Sequence, residues 1–418
     1  MKISDLRISL GILILGLQGS AFAQSEIVSA SSVGMSNEAL DRSTFRLQHH
    51  IDEGDISGVV AAVAREGKVV YFEALGLMDI EQGKPMHKDV LFRVYSMSRQ
   101  LTTVAALVLY EQGAFAMDDP IKMYLPNFED QRVLVDPSNT NLNQTRDRVG
   151  DITVQHLITH TSGLGSRGSR LYQENRVRDK NISLDQMVEN TARIPLFQDP
   201  GTEFRYGIHA TILGKLIEVW AGRPFEKFLY EELLQRLDMD STMFWASGSD
   251  EDRLAVVYRP ANGRLLPYQV ESIPYTEQPR LIEGGVGLLS TVSDYLNFSQ
   301  MILDGGVFRG ERILQEDTAD LIFENAVPEQ AMPIGKNGYW TGSGWTWGGF
   351  NLVLDPSAYS FPVSEGTIWW DGSAGTRYFI DPVQNTVIVI MAQISPSSGG
   401  GFRENFSELI DIAITERY

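Results

Sequence analysis

Two apolar runs near the start of the chain constrain the fold more than any other stretch. Gly58-Val59-Val60-Ala61-Ala62-Val63-Ala64 and Val69-Val70-Tyr71-Phe72-Glu73-Ala74-Leu75 are joined through Glu66-Gly67. β-Branched and aromatic residues dominate both, and a short glycine-containing joint makes them a hairpin. Neither run alternates cleanly between apolar and polar, so the hairpin is expected to be covered on both faces. Three further strand candidates come late, at 367–371, 376–380 and 385–394, with a turn at Asp381-Pro382 between the last two. A helix at about 404–415 closes the chain. Between these ends the pattern is different: helical spacing at 153–159, 183–193, 208–221 and 225–237, a polar surface loop at 136–150, and a helix at 294–303. Strands at both ends around a helical stretch imply one sheet domain built from both termini. We expect residues 24–100 and 281–418 to form an α/β domain and 101–280 a mainly helical one.

Residues 1–23 read as a secretory leader. Lys2 and Arg7 precede the apolar run 8–17, and Ala21-Phe22-Ala23 supplies a small-x-small cleavage site. A periplasmic or secreted protein without stable membrane insertion is the expectation. Export permits disulfides, yet the 418 residues include no cysteine, so stability must come from burial in a large core. Losing Lys2, Arg7 and Asp5 takes 35 basic and 54 acidic residues to 33 and 53, a charge of −20. So acidic a chain repels nucleic acid and anionic lipid surfaces. A small neutral or apolar substrate suits it better than a polyanion.

At Phe92-Arg93-Val94-Tyr95-Ser96-Met97-Ser98-Arg99 a strand-like run stops at a serine. Apolar residues then recur with helical spacing at Leu101, Val104, Ala105, Leu107 and Val108, up to Gly113. A serine at a helix mouth lies beside unpaired N–H groups and the positive end of the dipole. It can be a simple cap. It can also be a nucleophile, and the rest of the chain decides between the two.

Four segments bear on that choice: Tyr95-Ser96-Met97-Ser98-Arg99, Leu157-Ile158-Thr159-His160-Thr161-Ser162-Gly163-Leu164, Pro200-Gly201-Thr202-Glu203-Phe204-Arg205-Tyr206, and Trp370-Asp371-Gly372-Ser373-Ala374-Gly375-Thr376. In this order and spacing they resemble the class C β-lactamase-like serine hydrolases, a group that includes penicillin-binding proteins, family VIII carboxylesterases and related acyltransferases. Gly284-Gly285-Val286-Gly287-Leu288-Leu289-Ser290-Thr291 is similar to a further signature of that group, and the likeness runs from about 35 to 415. It implies a β-lactamase/transpeptidase-like fold, an antiparallel sheet flanked by helices with an inserted helical domain. It also implies that Ser96 is the acylating serine of an S-x-x-K motif and that Tyr206 moves its proton. Trp370-Asp371-Gly372 then matches the strand written K-T-G in lactamases and often W-x-G in the esterases. The backbone N–H groups of Ser96 and Ser373 would form the oxyanion hole.

The chain departs from that pattern at three places. Arg99 stands where the motif has lysine. Lysine can give up its proton when buried, whereas arginine stays charged, so Arg99 can act only as a fixed cation and a fork of donors. Tyr206 is then the group left to collect the serine proton. Asp371 replaces a small neutral residue, and a pair with Arg99 is expected if the two side chains converge. Ile208 replaces the asparagine that binds the lactam amide, which favours an ester or other apolar acyl substrate. The cluster Tyr339, Trp340, Trp345, Trp347, Phe350, Trp369 and Trp370 points the same way. Trp370, Asp371, Gly372, Ile208 and Trp345 are therefore the expected substrate-binding residues, with at least half of the aromatic rings in the core. His160 carries an implied structural hydrogen bond, and His209 is either a packing residue or a replacement base. No metal-ligand spacing and no phosphate-binding glycine motif occurs, so neither metal nor cofactor is expected. Three functions stay open: hydrolysis or acyl transfer through an acyl-enzyme on Ser96, a lyase- or aldolase-like reaction using Arg99 and Tyr206, and a binding homologue without turnover.

Overall fold

A computed structural model describes residues 27–417 except 139, 272, 274, 336 and 337; the expected leader at 1–23 lies outside the described residues. The N-terminal hairpin forms as β1 (Gly58–Arg65) and β2 (Lys68–Asp79), followed by the short β3 (Lys84–Pro85). The late strands are β4 (Ser343–Trp345), β5 (Asn351–Val353), β6 (Ile368–Asp371), β7 (Thr376–Asp381) and β8 (Thr386–Met391). They make one eight-stranded sheet in the order β4-β5-β6-β7-β8-β1-β2-β3, antiparallel throughout. The two ends of the chain meet where Val60 pairs with Met391 and Ala64 with Val387.

Both faces of the hairpin are buried, and the side-chain alternation of a strand explains how. Val60, Ala62 and Ala64 enter a large core on one face, while Val59, Ala61 and Val63 enter a smaller one on the other. The smaller core is covered by α1 (Asn37–Asp52) and the C-terminal helix, which pack on each other. The larger core holds α2 (Ser98–Glu111), α3 (His209–Ala221) and α4 (Val292–Leu303), with α4 lying directly on β8, β1 and β7. The C-terminal helix, Phe402–Ala413, is α5. α2 is buried almost all round, including Gln100, Thr102 and Thr103, which fits a helix enclosed on every side rather than an amphipathic one.

Two short hairpins differ from the sequence expectation. Val133–Leu134 pairs with Thr145–Arg146, so the polar run at 136–150 is largely the loop of a small hairpin. Tyr258–Ala261 and Arg264–Pro267 form another hairpin inside the span expected to be helical. Its Tyr258 is fully buried in the core under α1 and α5.

Candidate active site

The Ser96 segment is anchored from both sides. Phe92–Arg93 pairs with Leu289–Ser290, and the Val94 N–H donates to the Leu288 carbonyl at 3.1 Å. Tyr95–Met97 then makes a tight helical turn that runs into α2. Tyr95 has φ +42°, a left-handed conformation that is costly for a tyrosine and holds the next residue in a fixed direction. Tyr95 and Met97 are buried, while Ser96 between them keeps partial exposure. The cap of α2 falls at Met97 without a side-chain bond, and Ser98 Oγ accepts from the Leu288 N–H at 3.1 Å. Neither serine caps the helix. Among the described residues no hydrogen bond engages the Ser96 hydroxyl, and none ties it to Tyr206.

The glycine signature lets a second segment cross the start of α2. A Cβ on Gly284 would come within 2.8 Å of the Ala210 carbonyl and of Thr102 Oγ1, and one on Gly285 within 3.4 Å of Arg99 Nη1. The close approach is what Thr102 uses to donate to the Gly284 carbonyl at 2.7 Å.

Arg99 is buried and reaches from α2 to the Tyr206 segment. Its Nη1 donates to the Gly207 carbonyl at 2.7 Å, and its guanidinium carbon lies 4.4 Å from the Tyr206 ring centroid. Its Nε has no partner, and among the described residues no carboxylate pairs with it. The phenol oxygen of Tyr206 accepts from Trp370 Nε1 at 3.1 Å. Tyr206 is thus held from two sides, by a full cation on its ring face and by an indole N–H on its oxygen. Trp340 completes the wall, stacked at 5.5 Å on Trp370 and 5.7 Å from Tyr206.

His160 and His209 lie beneath this group, with their Nδ1 atoms 2.8 Å apart. One must donate and the other accept, so at least the acceptor is neutral in this contact. Burial, with the Arg99 cation adding to it, pushes His209 down to about 3; burial, His209 and Arg99 hold His160 far below the usual histidine range. His209 Nε2 is buried without a partner. Of the two roles expected for His209, packing fits and the replacement base does not.

β6 brings Trp370-Asp371-Gly372-Ser373 to the Ser96 turn. A Cβ on Gly372 would lie 2.6 Å from the Val94 carbonyl and 2.3 Å from Thr376 Oγ1, so only glycine lets the strand end lie against the backbone before Ser96. Ser373 follows at that seam, partly exposed, its Oγ without a partner.

One expected contact is corrected here. Asp371 does not pair with Arg99. Its Oδ2 is 3.1 Å from Arg377 and 3.3 Å from Arg403 and accepts from the Tyr339 hydroxyl at 3.1 Å. Alternation is the cause: Trp370 faces the core that holds α2, so Asp371 turns to the face where α5 brings Arg403. Arg377 stands directly across from Asp371 in the β6–β7 register, a pairing readable from the two strand candidates. Ile208 is 4% exposed and packs in the core, and Trp345 is fully buried behind Trp370 at 4.7 Å. Among the described residues no cluster of histidine or carboxylate side chains could hold a metal ion, and no helix is long and apolar enough to cross a membrane.

The family model described as Beta-lactamase matches residues 46–409, nearly all of the described chain. The chain belongs to the Beta-lactamase family. Proteins similar to it include Esterase EstB of Burkholderia gladioli, 29% identical over 366 residues, covering 81% of this chain and 86% of that one. Acyltransferase mokF of Monascus pilosus is 27% identical over 319 residues, covering 73% and 76%. Among solved structures, EstCE1, a hydrolase with promiscuous acyltransferase activity, superposes with a TM-score of 0.77 at 27% identity, covering 91% of this chain and 99% of its own. The β-lactamase/transpeptidase-like fold is thereby established, and esterase and acyltransferase relatives support a serine hydrolase- or acyltransferase-like function on a small molecule.

Proposed function

We propose that this chain is an exported serine enzyme that hydrolyses a small ester, or transfers its acyl group, through an acyl-enzyme on Ser96. The single observation that carries this reading is the placement of Tyr206: its oxygen takes a hydrogen bond from Trp370 while the Arg99 cation lies on its ring. As the phenolate, Tyr206 takes the serine proton as Oγ adds to the ester carbonyl. It passes that proton to the departing alkoxide when the tetrahedral adduct collapses. Water or an acceptor alcohol then attacks the acyl-serine and returns the enzyme by the same relay. Arg99 holds the charge and never takes a proton. The N–H groups of Ser96 and Ser373 are the proposed oxyanion donors, and the Gly372 seam against Val94 supports that role. Trp340 and Trp370 suit an apolar or aromatic substrate body, and residues 1–23 support a periplasmic or secreted location.

Turnover of p-nitrophenyl butyrate tests the reading. The expected result is hydrolysis, accelerated acyl transfer when an alcohol is added, and loss of both in Ser96→Ala. Activity that survives Ser96→Ala would instead favour the non-covalent lyase- or aldolase-like reaction, and ligand binding without turnover a binding homologue.

A further inference from the structure

A cleft of about 400 Å³ opens beside the Ser96 turn, with Arg93, Tyr95, Tyr268, Gln269 and Glu271 on its walls. Arg93 stands on the short strand just before the turn. Its Nη1 donates to the Ala255 carbonyl at 2.7 Å, and its guanidinium carbon lies 5.4 Å from the Tyr275 ring centroid. Among the described residues Nε and Nη2 of Arg93 meet no acceptor, and no carboxylate lies within 4.0 Å of the group. These two atoms are also missing from the sealed, unpartnered atoms of the core, so they face the cleft.

The carboxylate on the cleft wall is already engaged. Glu271 binds Arg167 and, at 2.5 Å, Arg178, while Glu283 also binds Arg178 at 2.5 Å. Arg167 and Arg178 thus share Glu271 and Glu283, two cations with two carboxylates, and Arg93 on the same cleft has no carboxylate partner. One uncompensated positive charge remains, a local surplus in so acidic a chain. A cleft with low-dielectric walls focuses such a surplus on whatever enters. A guanidinium with an edge of free donors matches a carboxylate in shape and charge better than it matches a neutral group. Ser96 is three positions after Arg93 in the chain, which places their Cα atoms about 11 Å apart at most.

We propose that Arg93 is a specificity residue that receives a carboxylate carried by the acyl group or by the acyl acceptor, while Ser96 acts on an ester several bonds away. The substrate class narrows from a small ester to one with an apolar body and a remote carboxylate. This rests on Ser96 as the nucleophile, but the binding half can be tested without it.

Specificity constants would be compared for p-nitrophenyl hemiglutarate against p-nitrophenyl pentanoate, and, as acceptors of the butyryl group, for ω-hydroxyhexanoate against hexanol. Arg93→Gln is expected to lower the carboxylate-to-neutral ratio about ten-fold or more in one of the two arms. Arg93→Lys should lower it less, since it keeps the charge and loses the fork. The responding arm identifies which side of the ester carries the carboxylate. Equal ratios in wild type and Arg93→Gln in both arms would overturn the proposal; should Arg93→Gln not fold, an unchanged ratio in Arg93→Lys does so. If wild type hydrolyses none of these esters, the nucleophile reading fails and calorimetric titration with glutarate decides alone. Binding about ten-fold weaker in the Arg93 variant supports the proposal, and equal or absent binding overturns it.

Discussion

Tyr206 carries the proposed chemistry at the scale of single residues. Tyr206→Phe removes the oxygen and keeps the ring on which Arg99 rests. Its kcat on p-nitrophenyl butyrate should fall about a hundred-fold or more, the usual share of a positioned proton-transfer group. A near-wild-type kcat would remove Tyr206 from the relay. His209 gives a second prediction, in stability. Burial holds it down to about 3, so as pH falls from about 6.5 the unfolded chain takes up a proton before the native state does. The native state loses stability through that window and keeps it above the window. His160 and His156 act in the same direction, and Asp294, pushed up to about 6 by burial, acts in the opposite one. The difference between variants isolates the histidine. Urea unfolding at pH 7 and pH 5 should show His209→Gln losing on the order of 2 kcal/mol less than wild type. An equal loss would mean that His209 takes up its proton in the folded state near the ordinary value. Ser96, Arg99 and Tyr206 could be singled out in the sequence because each sits in a short local pattern. Of the partners of Asp371, Arg377 follows from the strand register, but Arg403 lies 32 residues away and meets it only because α5 packs on the sheet.

Elements position these residues, and Gly372 is where that is most easily probed. In Gly372→Ala the new Cβ would lie 2.6 Å from the Val94 carbonyl, forcing the β6 end away from the Ser96 turn. Most activity should be lost while the circular dichroism spectrum stays native, and full activity would show that this seam does not set the site. The β1–β2 hairpin and the late strands were readable because apolar runs with turn signals mark a buried sheet. β4 and β5 were not, since each is only three residues long and rich in glycine, tryptophan or asparagine. The ladder holds them, not their own propensity. The helix expected at 225–237 likewise breaks into Phe225–Leu229, a wider turn at Tyr230–Leu234 and a tight one at Gln235–Leu237. Hydrophobic spacing alone does not mark such changes of pitch.

Across the whole molecule, the sheet joins the two chain ends and leaves the serine at the edge where it meets the large helical core. Neither the sheet nor that core would place Ser96 without the other: β6 supplies Trp370, and the core supplies Arg99 and Tyr206. The account depends on a reactive alcohol beside a guanidinium that never gives up its proton. Intact-mass analysis after treatment with a fluorophosphonate probe tests this most directly. One phosphonyl adduct is expected on the wild-type protein, mapped to Ser96 and missing in Ser96→Ala. No adduct on wild type, or an adduct that persists in Ser96→Ala, would contradict it.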